Sequence, residues 1–184
     1  MKLARGVINP RPVLRFLGRL LLVLSCAQLL PLLVSLLYGE TESAGSFLLS
    51  MLVTALVAGL FAYLGRGAGE VYRREGILIV VGGWMLASAL GALPYVLSSA
   101  IPSPIDALFE AASGFTTTGA TVLTDIAGQD RGILFWRCFT QWLGGMGIIV
   151  LFLALLPELG PGARFLYKLE VPGPTAEALS PRIR

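Results

Sequence analysis

The chain has 184 residues, of which 55% are hydrophobic and 14% charged, with a net charge of +3 and no histidine. Soluble domains carry about 25% charged residues, so this composition indicates an integral membrane protein. The lack of histidine excludes serine–histidine and cysteine–histidine nucleophilic sites, histidine metal sites and histidine proton relays. We therefore expect no enzyme. We also expect no nucleic-acid partner, because basic residues in a membrane protein mainly mark its cytoplasmic loops.

Two apolar segments near the start of the chain predict two transmembrane helices. The first, residues 20–38, is uncharged, and as a helix it would be roughly 28 Å long. A signal peptide is the alternative, but this segment is long for one and no small-residue cleavage site follows it. We expect a retained helix, kinked at Pro31. A loop is predicted over residues 39–45 and a second membrane helix over residues 46–64.

The next part of the chain predicts a third membrane helix and then a much shorter one. A charged turn at residues 65–76 precedes an apolar segment at 77–98, and prolines interrupt the chain at 101–104. Residues 105–115 are apolar again, but a helix of this length covers only roughly 16 Å. Because that is about half a bilayer, the segment favours a re-entrant helix that enters and leaves by the same face.

An uncharged stretch rich in threonine and glycine, residues 116–121, follows the short helix directly. A polar segment at 122–131 comes next, and then a fourth predicted span at 132–156. Lysine and arginine concentrate in the N-terminal segment, in the turn at 65–76 and in the tail. The positive-inside rule places these three parts in the cytoplasm, so the short helix must enter from outside.

This stretch has the chemistry of an ion filter, although such a run is also compatible with an ordinary turn. Backbone carbonyls of an extended strand can replace the water shell of a cation, and an uncharged strand suits a monovalent ion. Glycine permits the backbone angles that turn neighbouring carbonyls to one side. The candidate ligands are the carbonyls of Thr117, Thr118, Gly119 and Ala120. The candidate supporting or outer-mouth residues are Glu110, Thr116, Thr121 and Asp125. Arg137 is expected to reach the outer interface.

Five motifs spread along the chain resemble the TrkH branch of the Trk/Ktr/HKT potassium transporter superfamily. They are REG at 74–76, GALPY at 91–95, FEAASGFTTTGAT at 109–121, FWR at 135–137 and QWLGGMGI at 141–148. The resemblance covers essentially the whole chain, and the number of motifs makes it specific.

The resemblance implies an all-α integral membrane fold, in which helix–pore loop–helix repeats surround one pore as in a potassium channel. This chain would be an N-terminal portion with a cytoplasmic segment and two leading helices over 1–75, the first repeat over 76–160 and a cytoplasmic linker over 161–184. The central glycine of the family's filter strand falls on Gly119, where glycine points to potassium and not sodium.

The resemblance also implies partners and a location. The partners are the lipid bilayer, the remaining three repeats of the same transporter, a second copy of the full-length form, and a cytoplasmic TrkA-type nucleotide-binding regulatory protein. The transported ion is K⁺, with no other cofactor, and the location is the bacterial inner membrane. The alternative function is a non-conducting membrane assembly or regulatory subunit.

Overall fold

The computed structural model describes residues 9–67, 69, 71 and 73–155, and within them every regular element is an α-helix. Within this described part of the chain, three helical stretches are long and apolar enough to cross a membrane: Pro10–Leu37, Thr41–Leu64 and Arg74–Leu97. The predicted all-α membrane class is therefore confirmed. The described residues up to Gly145 form one compact unit, and all contacts of the candidate site lie within it. The predicted linker at 161–184 lies outside the described residues.

The first predicted span consists of two helices, α1 (Pro10–Ala27) and α2 (Leu29–Leu37), separated at Gln28. Proline has no N–H, so Pro31 cannot donate to the carbonyl four residues earlier, which is that of Ala27. The regular helix is interrupted one turn before the proline, next to the carbonyl that lacks this hydrogen bond.

The second span, α3, covers Thr41–Leu64 and so begins inside the segment that the sequence predicted as a loop over 39–45. That prediction was wrong because Glu42 lies in the first turn, where a negative charge stabilises the helix dipole. The third span begins earlier than predicted and is divided into α4 (Arg73–Gly91) and α5 (Leu93–Leu97). Pro94 removes a helical hydrogen bond at this second break.

The short helix α6 covers Pro104–Phe115, and α7 covers Arg131–Leu155. Both agree with the predicted segments to within one residue at each described end. Between them, residues 116–130 contain no regular secondary structure. The chain after α3 thus runs as a membrane-length helix, a half-length helix, an irregular segment and a second long helix.

The contact between α1 and α3 is closely packed and includes polar side chains; Leu17, Leu21 and Leu24 of α1 are also buried, while the leucines of α3 are exposed. Ser25 donates from Oγ to the Met51 carbonyl at 2.9 Å, and the buried Gln28 donates from Nε2 to Thr54 Oγ1 at 3.5 Å. Gly18 lets the backbones approach, because a Cβ there would lie 2.9 Å from the Ala58 carbonyl oxygen. Small residues and side-chain hydrogen bonds stabilise helix pairs in lipid, where apolar side chains gain little by leaving the surface.

Gly18→Ala should lower the unfolding free energy by about 1–3 kcal/mol, because the added methyl group requires the α3 backbone to move. Gly59→Ala is the matched control, since no atom lies within 4 Å of a Cβ at Gly59. There the better helix propensity of alanine should leave stability unchanged or slightly higher. Thermal unfolding of both variants in detergent, followed by circular dichroism, tests the difference. Equal stability of the two variants would contradict the close α1–α3 contact.

Candidate ion-coordinating site

The half-length helix α6 is defined by signals at both of its ends. Ser103 caps the start by accepting the Asp106 backbone N–H at 3.4 Å, and Pro104 occupies the first turn, where its missing N–H costs nothing. The helix ends at Phe115, where the Thr116 N–H donates to the Ala112 carbonyl at 2.9 Å. With 12 residues, α6 is roughly 18 Å long. It is therefore about half as long as a helix that crosses a bilayer, and the threonine segment, residues 116–121, follows it directly.

The Phe115 ring fixes the last turn of α6 against the neighbouring helices. A Cβ at Gly91 would lie 2.6 Å from the ring, so only glycine fits there. A Cβ at Gly144 would lie 1.9 Å from the Phe115 carbonyl oxygen, which shows how closely α7 approaches the helix end. Trp136 is fully buried, lies edge-on to the Phe115 ring with centroids 6.4 Å apart, and donates from Nε1 to the Gly91 carbonyl at 2.9 Å.

The chain then reverses direction and is held to the helix that it has just left. The Thr117 N–H donates to the Gly114 carbonyl and the Thr118 N–H to the Ser113 carbonyl, both at 2.9 Å. Two residues take left-handed backbone angles, Thr117 with φ of 58° and Gly119 with φ of 78°. Glycine adopts such angles without steric cost, whereas threonine does so only when its surroundings enforce them.

Consecutive carbonyl oxygens in this segment are available to a ligand. Among the described residues, no group donates a hydrogen bond to the carbonyls of Thr117, Thr118 or Gly119, and all three residues are exposed. The next carbonyl, that of Ala120, accepts the Ser113 hydroxyl at 2.6 Å. Of the four predicted carbonyl ligands, three are thus open and one is bonded to α6.

Glu110 joins three segments through one carboxylate. The residue is only 2% exposed. Its Oε1 accepts the Arg137 Nε–H at 2.6 Å, and its Oε2 accepts the Val122 N–H at 3.0 Å. The Thr121 hydroxyl lies 2.9 Å and 3.0 Å from the two carboxylate oxygens. A buried carboxylate requires this kind of compensation, so α6, the end of the threonine segment and α7 are stabilised together.

The other predicted supporting residues occupy different positions. The Thr116 hydroxyl donates to the Ala112 carbonyl and lies 2.8 Å from the Thr118 hydroxyl, so it stabilises the turn from inside the segment. Asp125 is exposed, accepts the Gly128 N–H at 3.0 Å and lines an open cleft of about 250 Å³ with Asp106. Thr116 and Thr121 therefore stabilise the threonine segment from within, Glu110 contacts it from α6, and Asp125 lies in the loop beyond it.

Sequence reasoning missed three contacts of the site. Arg137, which we expected to reach the outer interface, is instead paired with Glu110. Its charge inside an apolar segment was the available signal, because such a group needs a nearby partner. Ser113 was not singled out. Glu40 was also overlooked, and its carboxylate accepts the backbone N–H groups of Arg131 at 2.6 Å and Gly132 at 3.0 Å, which caps the start of α7.

The fold and the site together define an all-α, multi-pass membrane protein that presents an uncharged segment of open carbonyls at the end of a half-length helix. The family model for TrkH, described as a cation transport protein, matches residues 45–182. The chain therefore belongs to the TrkH family.

Individual relatives show the same similarity at the level of whole sequences. The chain is 43% identical to the Trk system potassium uptake protein TrkH of Halomonas elongata over 176 residues. It is 41% identical to TrkH and 38% identical to TrkG of Escherichia coli K12. Each match covers 94% of this chain but 36% of the relative, so the chain spans about a third of the length of these proteins.

Glu110→Gln should lower the unfolding free energy by about 3–5 kcal/mol, because it removes the charge that compensates the partly buried Arg137. Arg137→Gln should destabilise the protein by a comparable amount. The double variant should lose less than the sum, because neither charge is then left alone. Unfolding in detergent, analysed as a double-mutant cycle, measures the coupling. Additive losses would show that the pair contributes nothing beyond its separate residues.

Gly144→Ala should destabilise the end of α6, since its methyl group would overlap the Phe115 backbone. We expect a loss of about 1–3 kcal/mol. The adjacent Gly145→Ala is the matched control, because its Cβ would lie 3.9 Å from the Thr117 methyl group, an ordinary contact. Two measurements should change only for the first variant: the thermal unfolding temperature, and the accessibility of single cysteines introduced into residues 116–121. A similar response of both variants would contradict the close approach of α7.

Proposed function

We propose that this chain contributes one strand of the selectivity filter of a Trk-type potassium uptake transporter, and that Thr117, Thr118, Gly119 and Ala120 form that strand. The observation that carries the proposal is the run of open carbonyls at Thr117, Thr118 and Gly119 at the end of a half-length helix. Membership of the TrkH family supports potassium as the ion, because the relatives are named potassium uptake proteins.

Carbonyl dipoles suit a potassium ion that must bind and leave again. They replace water ligands but carry only partial charge, so the ion is not held as firmly as by carboxylates. Ala120 participates differently from the other three residues in this proposal. The Ser113 hydroxyl occupies one lone pair of the Ala120 carbonyl and fixes the strand end, which leaves the second lone pair for an ion.

The electrostatics of the site favour a monovalent cation. The carbonyl end of α6 leads directly into the strand, and the negative end of a helix dipole stabilises a positive charge there. Among the residues that the structure describes, the carboxylate that hydrogen-bonds to the segment is that of Glu110, which is paired with Arg137, so the pair adds no net charge. The exposed Asp106 and Asp125 lie in the neighbouring cleft, where they would raise the local concentration of cations without binding them tightly.

A single strand with open carbonyls at residues 117–119 cannot surround an ion by itself, and this determines the arrangement that we propose for the whole transporter. We infer that three further repeats, beyond 76–160, complete the ring of carbonyls, with residues 1–75 supplying the leading helices and 161–184 the link to the next repeat. The N-terminus and the tail face the cytoplasm of a bacterial inner membrane, where a TrkA-type nucleotide-binding protein binds the dimeric transporter. Two contacts support a common side for the N-terminus and the turn at 65–76. The starts of α1 and α4 lie together, with the Asn9 N–H 3.4 Å from Glu75 Oε1. Glu40, which follows α2, instead contacts the start of α7.

Gly119→Ser in the complete transporter should lower the selectivity for potassium over sodium by about tenfold or more. The backbone φ of 78° at residue 119 is strained for serine, so we expect the backbone there to change and the neighbouring carbonyls to point in other directions. Gly39→Ser is the matched control, because its φ is 76° and no atom lies within 4 Å of a Cβ there. It carries the same backbone strain outside the filter strand. Potassium and sodium flux into vesicles, measured with both variants, gives the selectivity ratio.

Three outcomes of this experiment separate the alternatives. A lower ratio for Gly119→Ser and a normal ratio for Gly39→Ser would support the filter strand. An unchanged ratio for both would contradict it and favour the non-conducting assembly subunit. A lower ratio for both would also contradict it, because the effect would then follow from backbone strain in general.

A further inference from the structure

Three arginines line one cleft that includes no residue of the threonine segment. Arg15 and Arg19 lie one turn apart on α1, and Arg66 follows the end of α3. Together with Ala62, Gly65 and Gly67 they line an open cleft of about 370 Å³, called here the arginine cleft. None of these residues takes part in the proposed filter.

The close packing of two helices creates the arginine cleft. A Cβ at Gly65 would lie 2.6 Å from the Arg15 backbone nitrogen, so α1 and the end of α3 are in direct backbone contact. This contact brings the guanidinium groups of two separate segments to one place. Without a partner, the mutual repulsion of three like charges would oppose this packing.

Aromatic rings hold two of the guanidinium groups. The Arg66 Cζ atom lies 4.8 Å from the centroid of the Tyr63 ring, and the Arg19 Cζ atom lies 5.7 Å from that of Phe16. Stacking of this kind orients a guanidinium while leaving its N–H groups free. Among the described residues, none of the three arginines donates a side-chain hydrogen bond or pairs with a carboxylate.

The surroundings of the arginine cleft match a lipid and not a soluble ligand. Leu20, Tyr63 and Leu64 are exposed next to the cleft residues along the chain, and they continue into the apolar surfaces of α1 and α3. The carbonyl end of α3 lies here too, but its dipole equals only about half a charge, against three full positive charges. An anionic group attached to apolar chains satisfies both parts of this surface.

We propose that the arginine cleft binds the phosphate of an acidic phospholipid, with the acyl chains along the outer faces of α1 and α3. Planar guanidinium groups form paired hydrogen bonds to phosphate oxygens, and two helices contribute to the same group. The bound lipid would then neutralise the repulsion among the arginines and stabilise the α1–α3 contact. The site is independent of the proposed filter and does not require it.

The test compares lipid binding by two variants with equal changes in net charge. Arg15→Gln/Arg66→Gln removes one guanidinium from each wall of the cleft, whereas Arg74→Gln/Arg131→Gln removes two exposed arginines outside it. The delipidated chain in neutral detergent is titrated with phosphatidylglycerol, and bound lipid is counted by native mass spectrometry. We expect at least tenfold weaker binding for the cleft variant and less than a twofold change for the control variant.

Further variants and a measurement of helix content distinguish loss of the lipid site from loss of the fold. Arg15→Lys/Arg66→Lys should recover part of the affinity, and circular dichroism should show the same helix content in all variants. A cleft variant that loses helix content is replaced in the comparison by Arg19→Gln alone, which leaves the α1–α3 backbone contact untouched. Equal losses in the cleft and control variants would overturn the proposal. Displacement of the lipid by millimolar inorganic phosphate, or equal binding of phosphatidylcholine, would also overturn it, since the first indicates a soluble anion and the second a site without charge recognition.

Discussion

The buried carboxylate of Glu110 is the constraint on which the site depends. A charge in this position is stable only if several donors reach it, and the donors come from three places in the chain: the Arg137 guanidinium, the Thr121 hydroxyl and the Val122 backbone N–H. Compensating the charge therefore fixes the end of the threonine segment relative to both α6 and α7. The pair stays neutral overall, so it orders the segment without adding a net charge beside it.

The apolar contacts around Phe115 serve the same purpose at the C-terminal end of α6. Trp136 packs edge-on between Phe115 and Phe47, with centroid distances of 6.4 Å and 6.3 Å, and so connects the short helix to α3. Glycines at 91 and 144 allow this approach. Serine, threonine and glutamine side chains line part of the α1–α3 contact beside buried leucines of α1, while the leucines of α3 are exposed. In lipid, close backbone contact and hydrogen bonds replace the hydrophobic effect as the source of helix association.

Local features of the structure could be predicted from the sequence, and long-range contacts could not. The bounds of α6 follow from Ser103, Pro104 and the length of the apolar run, all of which act within a few residues. The break at Gln28 is likewise a local effect of Pro31. By contrast, the Glu40 cap on α7 joins residues 91 apart, and the Glu110–Arg137 pair joins residues 27 apart. The spacing of apolar residues along the sequence does not indicate such contacts. Identifying them requires either the structure or the rule that buried charges have partners. The proposed ligand role of the threonine segment and the proposed partners remain predictions.

The Glu40 cap also has a consequence for when contacts can form during synthesis of the chain. A ribosome adds roughly 5–20 residues per second, so the 91 residues that separate Glu40 from Arg131 take about 5–20 seconds to appear. During that interval α3 to α6 are made, and until it ends the Glu40 carboxylate has no α7 to cap. The Glu110–Arg137 pair needs only 27 residues and forms within a single helical hairpin. Because Arg131 is made shortly before Arg137, both contacts become possible only when the start of α7 appears, and the leading helices and the threonine segment can join α7 at nearly the same time.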